Sequence, residues 1–86
     1  MPKVDKLLYK AKNTPQNLRF KEFCNLIEFF EANLRNTKGS HFIYKRSKEP
    51  SFAISVQDVG GKAKPYQVRE FLNILYRLRI LKEEGE

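Results

Sequence analysis

The sequence is short of the residues that most often anchor chemistry or cross-links. It has one cysteine (Cys24), one histidine (His41), no tryptophan, four glycines and four prolines in 86 residues. A single cysteine cannot close an internal disulfide. With one histidine it cannot complete a zinc site of four Cys or His ligands. No apolar run reaches the ~18–20 residues that span a bilayer, and Met1 to Lys12 carries charge throughout, unlike a secretory leader. On these shortages the chain is expected to be reduced and cytoplasmic, with no cofactor, no metal and no membrane partner. Acids are scarce as well. Ten Asp and Glu stand against 17 Lys and Arg, a net charge of +7, and such an excess points to an anionic partner.

What is present is enough for a core. Apolar residues make up 41% and aromatic residues 13%, too many for a disordered basic tail. The length allows one domain over 1–86, because two would each be too short to bury a useful interior. Val4, Leu7, Leu8 and Ala11 recur at helical spacing and predict a short amphipathic helix over Lys3 to Lys12, part of an N-terminal extension over 1–18. Asn13 to Asn17, with Pro15, reads as a turn. A second helix follows from Phe20, with Phe23, Ile27, Phe30 and Leu34 on one stripe. It is expected to stop near Ala32-Asn33, with Asn33 as the left-handed residue after it.

The period then changes from helical to alternating. Leu34 to Thr37 can supply a first strand, Gly39-Ser40 a tight turn, and His41 to Arg46 a second strand. Ser47 to Ser51 reads as a hairpin loop. Phe52, Ile54 and Val56 alternate with Ala53, Ser55 and Gln57 in a third strand with one buried face. Asp58 to Lys64, with Gly60-Gly61, reads as a loop. Pro65 opens a last helix running to about Leu81, and 82–86 reads as a solvated tail. The expected fold is a two-layer α+β sandwich: a small antiparallel three-stranded sheet with helices on one face and the other face open.

Charge concentrates on the strands. Arg35, Lys38, Lys45, Arg46 and Lys48 fall in an acid-free stretch that also holds His41, Phe42 and Tyr44. Cations hold phosphates, and imidazole moves protons near neutral pH, so the stretch is a candidate RNA-facing surface, with Tyr44 a candidate to stack on a base. The plainer reading is solubilising charge beside an ordinary strand-end histidine, and composition alone favours it. Lys62 and Lys64 form a second basic cluster beside the start of the last helix, where a phosphate would be favoured, or else a mobile lysine-bearing loop. Cys24 lies beside an apolar helix stripe and reads as a small core residue. If Phe42 and Tyr44 face the core, alternation puts His41, Ile43 and Lys45 on the open face.

Thr37-Lys38-Gly39-Ser40-His41-Phe42-Ile43-Tyr44 resembles the core motif of the HicA toxins, small ribonucleases of type II toxin–antitoxin pairs. That motif is a basic lead-in, Gly-Ser-His, then a strand ending in an aromatic, preceded by an amphipathic helix and followed by a strand and a helix. The likeness covers roughly Arg19 to Leu81 (the core, 19–81). It implies an α-β-β-β-α fold like a double-stranded-RNA-binding domain and metal-independent cleavage of mRNA, here with an extra N-terminal helix. It also implies neutralisation by a HicB-type antitoxin. By this likeness Gly39 matches the turn glycine, Ser40 the motif serine and His41 the catalytic histidine. The residues expected at RNA are Arg35, Lys38, Gly39, Ser40, Tyr44, Lys45, Arg46, Lys62 and Lys64. The sequence departs from the pattern where Phe42 replaces a frequent second histidine. It departs again where Asn33 replaces a glycine and where Ser55 to Lys64 lacks a histidine segment. Two rival readings keep the same residues: a non-catalytic RNA-binding module, and an interaction module for an acidic protein.

Overall fold

The structure, a computed structural model, describes residues 3–82. Three α-helices, α1 (Lys3–Asn13), α2 (Phe20–Phe29) and α3 (Pro65–Arg77), pack against one antiparallel sheet of four strands. The strands are β1 (Asn33–Lys38), β2 (His41–Arg46), β3 (Phe52–Val59) and β4 (Lys62–Ala63), in the order β1-β2-β3-β4. This is the expected α+β architecture with one strand more.

The additional strand replaces the loop expected over Asp58 to Lys64. Gly60 and Gly61 have φ of 60° and 86°, the left-handed pair that a two-residue type I′ hairpin requires and that glycine adopts without steric cost. β3 therefore runs on to Val59 and turns straight into β4, pairing Asp58 with Ala63 and Val59 with Lys62. The segment before α2 joins the same edge. Phe20 N–H donates to the Gly61 carbonyl (2.9 Å) and Ala63 N–H to the Leu18 carbonyl (3.1 Å), bringing Arg19 opposite Lys62.

Two helix ends differ from expectation. α2 stops at Phe29, and the left-handed residue after it is Glu31 (φ 68°), not Asn33. Asn33 is already paired with Lys45 at the start of β1, and that pairing requires extended backbone. α3 stops at Arg77, with Arg79 left-handed (φ 59°) shortly after it. The turn expected at Asn13 to Asn17 contains a 3₁₀ turn over Pro15–Asn17. Residues 83–86 of the expected tail lie outside the described residues.

The core lies between the helices and the inner sheet face. Phe23, Leu26, Ile27, Val68, Phe71 and Leu75 of the helices are fully buried against Tyr44, Ile54 and Val56 of the strands. α1 belongs to this core, since its Leu7 and Ala11 are buried. At the start of α2 the Glu22 carboxylate accepts the Arg19 backbone N–H (3.0 Å) and the Lys10 ammonium (2.9 Å), joining α1 to α2. Partial burial alone would push this carboxyl up. The N–H of Arg19 and the charge of Lys10 outweigh it and hold the group below the usual glutamate range. A depressed folded-state value contributes stability above the unfolded value of about 4.3, and this contribution is lost as pH falls through the folded value. We expect Glu22→Gln to flatten the decline of thermal midpoint on acidification below about pH 4.3. Parallel declines in the two proteins would contradict this.

Candidate nucleic-acid interface on the open sheet face

The β1–β2 hairpin sets the site. Gly39 has φ of 61°, and Lys38 and His41 close the two-residue turn as a cross-strand pair. A glycine in the first central position is the requirement of a type II′ turn. A Cβ at Gly39 would meet no atom within 4 Å, so substitution acts through backbone strain and not through a clash. Gly39→Ala is expected to lower unfolding free energy by about 1–2 kcal/mol, read from the urea midpoint. An unchanged midpoint would mean that the turn tolerates another geometry.

Register then assembles a row across three strands. His41 stands opposite Lys38 on β1 and opposite Gln57 on β3. Directly opposed residues share a face, with Cβ atoms about 4.5–5.5 Å apart. The next row is Asn36, Ile43 and Ser55, and the one after it Asn33, Lys45 and Ala53. A bulge between Leu34 and Asn36 makes Arg35 the extra residue. It puts Leu34 opposite inward-facing Tyr44 and Asn36 opposite outward-facing Ile43, which a regular strand could not do. His41, Lys38 and Lys45 are exposed, and Ile43 is 39% exposed at the centre.

Carboxylates are missing from this face. Among the strand residues that share it, none is Asp or Glu. Among the described residues the ion pairs are Lys10–Glu22 and those of Glu31 with Arg46 and Lys48. Arg35, Lys38, His41, Lys45, Lys62 and Lys64 pair with none. Arg35 instead donates to the Ser47 hydroxyl (2.8 Å), so it lies at the Lys45 end of the sheet, away from His41. Lys45 lies on β2 four residues from His41, about 13 Å along the strand.

Two expected RNA contacts are corrected. Tyr44 is 3% exposed on the inner face, and its burial, with Cys24 and Glu28 nearby, pushes the phenol well above tyrosine's ordinary value. Buried on the inner face, it can neither stack on a base nor reach a phosphate on the open face. Arg46 is 7% exposed. Its guanidinium donates to the Phe30 carbonyl (3.1 Å) and the Lys48 carbonyl (3.2 Å). It thereby satisfies an orphan carbonyl at the end of α2 and ties that helix to the β2–β3 hairpin. Period-2 alternation carried the signal for both, since Phe42, Tyr44 and Arg46 share a face. Cys24 is half-buried, and burial pushes its thiol up, as suits a packing residue.

The second basic cluster is built, but separately. Lys62 is exposed opposite Val59, and Arg19 stands across from it in an isolated bridge. Lys64 precedes Pro65 as the residue capping α3, its ammonium 5.6 Å from the Tyr66 ring centre. Arg19 was missed in sequence because only the β4 pairing brings it here. Gln57 was missed for the same reason: its place beside His41 follows from register.

Fold and face together define a small α+β protein with a cationic, carboxylate-free open sheet surface carrying one exposed imidazole. Compared with family models, with curated proteins and with solved structures, the chain finds no match in any of the three. Among the described residues no helix is long and apolar enough to cross a membrane.

Proposed function

We propose that the chain is a metal-independent endoribonuclease of the HicA type, acting on mRNA through His41. The single observation that carries this reading is the row Lys38–His41–Gln57: an exposed imidazole flanked by an unpaired ammonium and an amide on a face without carboxylates. RNA carries its own nucleophile. His41 takes the proton of a ribose 2′-OH, the 2′-oxygen bonds to the adjacent phosphorus, and the bond from phosphorus to the 5′-oxygen breaks. The leaving oxygen takes a proton from the Lys38 ammonium or from water, and the proton on His41 returns to solvent. The products are a 2′,3′-cyclic phosphate and a 5′-OH. Lys38 also faces the charge that develops on the phosphate. Lys45 and Arg35 at one end of the face, with Lys62, Lys64 and Arg19 at the other, hold flanking phosphates. A HicB-type antitoxin would act by covering this face with acidic side chains, and the exposed Ile43 gives such a partner an apolar contact at its centre.

The test is incubation of the isolated chain with RNA and with DNA of the same sequence. Cleavage of RNA alone is expected, because DNA lacks the 2′-OH. Salt-sensitive RNA binding without product would instead establish a non-catalytic RNA-binding module. No RNA affinity, with a tight complex to an acidic protein, would establish the interaction module.

A further inference from the structure

Gln57 is the one member of the central row that is neither cationic nor titratable, and the fold holds it with unusual care. Along an antiparallel ladder successive N–H groups point to opposite neighbours. Asp58 N–H donates to the carbonyl of Ser40, the turn residue just before β2 (2.9 Å), so Gln57 N–H points away from β2. β4 has two residues and pairs only with Asp58 and Val59, so it offers that donor no carbonyl. α3 supplies the acceptor: the Gln67 side-chain oxygen takes the Gln57 N–H at 2.8 Å, and Gln67 is 7% exposed. A buried amide is thus committed to fixing one residue of the open face. The same geometry makes His41 and Gln57 a non-hydrogen-bonded pair, the closer kind, with Cα atoms about 4.5 Å apart. The Gln57 carboxamide itself is loosely engaged on the open face, its NH₂ donating to the Ser40 hydroxyl at 3.5 Å, the outer limit of a hydrogen bond.

We infer that Gln57 is a substrate-contacting catalytic residue, its carboxamide NH₂ donating to a non-bridging oxygen of the scissile phosphate held between it and Lys38. This rests on the ribonuclease reading above. The residue type suits the place. A second cation beside His41, added to Lys38, would disfavour protonation of the imidazole, and a carboxylate would repel the phosphate. An amide adds a fixed donor without either effect. Such a donor strengthens its bond as charge grows on the phosphate oxygens, so its contribution falls on the reaction step more than on binding. No bond to Gln57 forms or breaks.

The experiment uses the full chain, an RNA whose cleavage position has been mapped, and the same RNA made 2′-deoxy at that position as an uncleavable binding probe. Gln57→Ala is expected to slow single-turnover cleavage by about 10²–10³-fold, with affinity for the probe within about threefold. Gln57→Glu is expected to be slower still, because its charge faces the phosphate. Thermal midpoints should match the wild type, since both variants keep the backbone N–H that Gln67 holds. Wild-type cleavage rates in Gln57→Ala, or a loss of probe affinity equal to the loss of rate, would overturn the inference and leave the role of His41 standing. No cleavage by the wild type would overturn the ribonuclease reading and this inference with it.

Discussion

His41→Ala is expected to slow RNA cleavage by about 10²–10⁴-fold, the span associated with a lost general base. Binding of the same RNA should change little, since the proposed function assigns the phosphate contacts to Lys38, Lys45, Lys62 and the other cations, which the substitution leaves in place. The fold should be untouched. His41 is exposed and, among the described residues, its side chain makes no hydrogen bond or ion pair. Stability and catalysis therefore separate at this residue: urea midpoints of the two proteins should coincide while their cleavage rates diverge. The same substitution should relieve growth arrest on expression in cells. Equal cleavage by both proteins would remove the imidazole from the mechanism.

The largest expected effect on stability comes from Phe71. Its ring is fully buried on α3 and lies 5.8 Å from Phe23, 6.0 Å from Phe30 and 6.1 Å from Phe52, measured between ring centres. All three neighbours meet it edge to face, the arrangement that adds to simple burial. One side chain thereby joins α2, the residue that follows it, β3 and α3. Phe71→Ala removes that joint and leaves a cavity among rings that cannot all move in to fill it. The expected loss is about 3–5 kcal/mol. A chain of this size has roughly 4–13 kcal/mol in total, so the variant should be substantially unfolded in mild urea, with its thermal transition lowered or lost. A loss below about 1 kcal/mol would place the structural centre elsewhere.

Local periodicity announced the layers of this fold, and long-range pairing decided the rest. The stripe from Phe20 to Ile27 and the alternation of Phe52, Ile54 and Val56 can be read from the chain because each reports one face of one element. The inward direction of Tyr44 and Arg46 was legible by the same rule. The positive charge of Arg46 argued against it until the structure supplied the Phe30 and Lys48 carbonyls that receive its guanidinium. β4 was hidden because two residues carry no period, although Gly60-Gly61 is a hairpin signal in its own right. The end of α2 was misplaced because Asn33, a good left-handed residue by type, is taken by β1 pairing. At the site, the hairpin glycine and the histidine were legible. The partners of His41 were half legible: Lys38 is near in sequence, whereas Gln57 is 16 residues away and becomes its neighbour only through the β2–β3 register.

The central claim is that His41, exposed on a carboxylate-free basic face, draws the proton from a ribose 2′-OH. The most direct test is the chemistry of the cut ends. RNA treated with the wild-type chain in the presence of a chelator should yield 2′,3′-cyclic phosphate and 5′-OH termini, identified by mass. A single 2′-deoxy substitution at the mapped position should abolish that cut. Termini bearing a 5′-phosphate, or continued cleavage at the deoxy position, would show a water nucleophile and contradict the account.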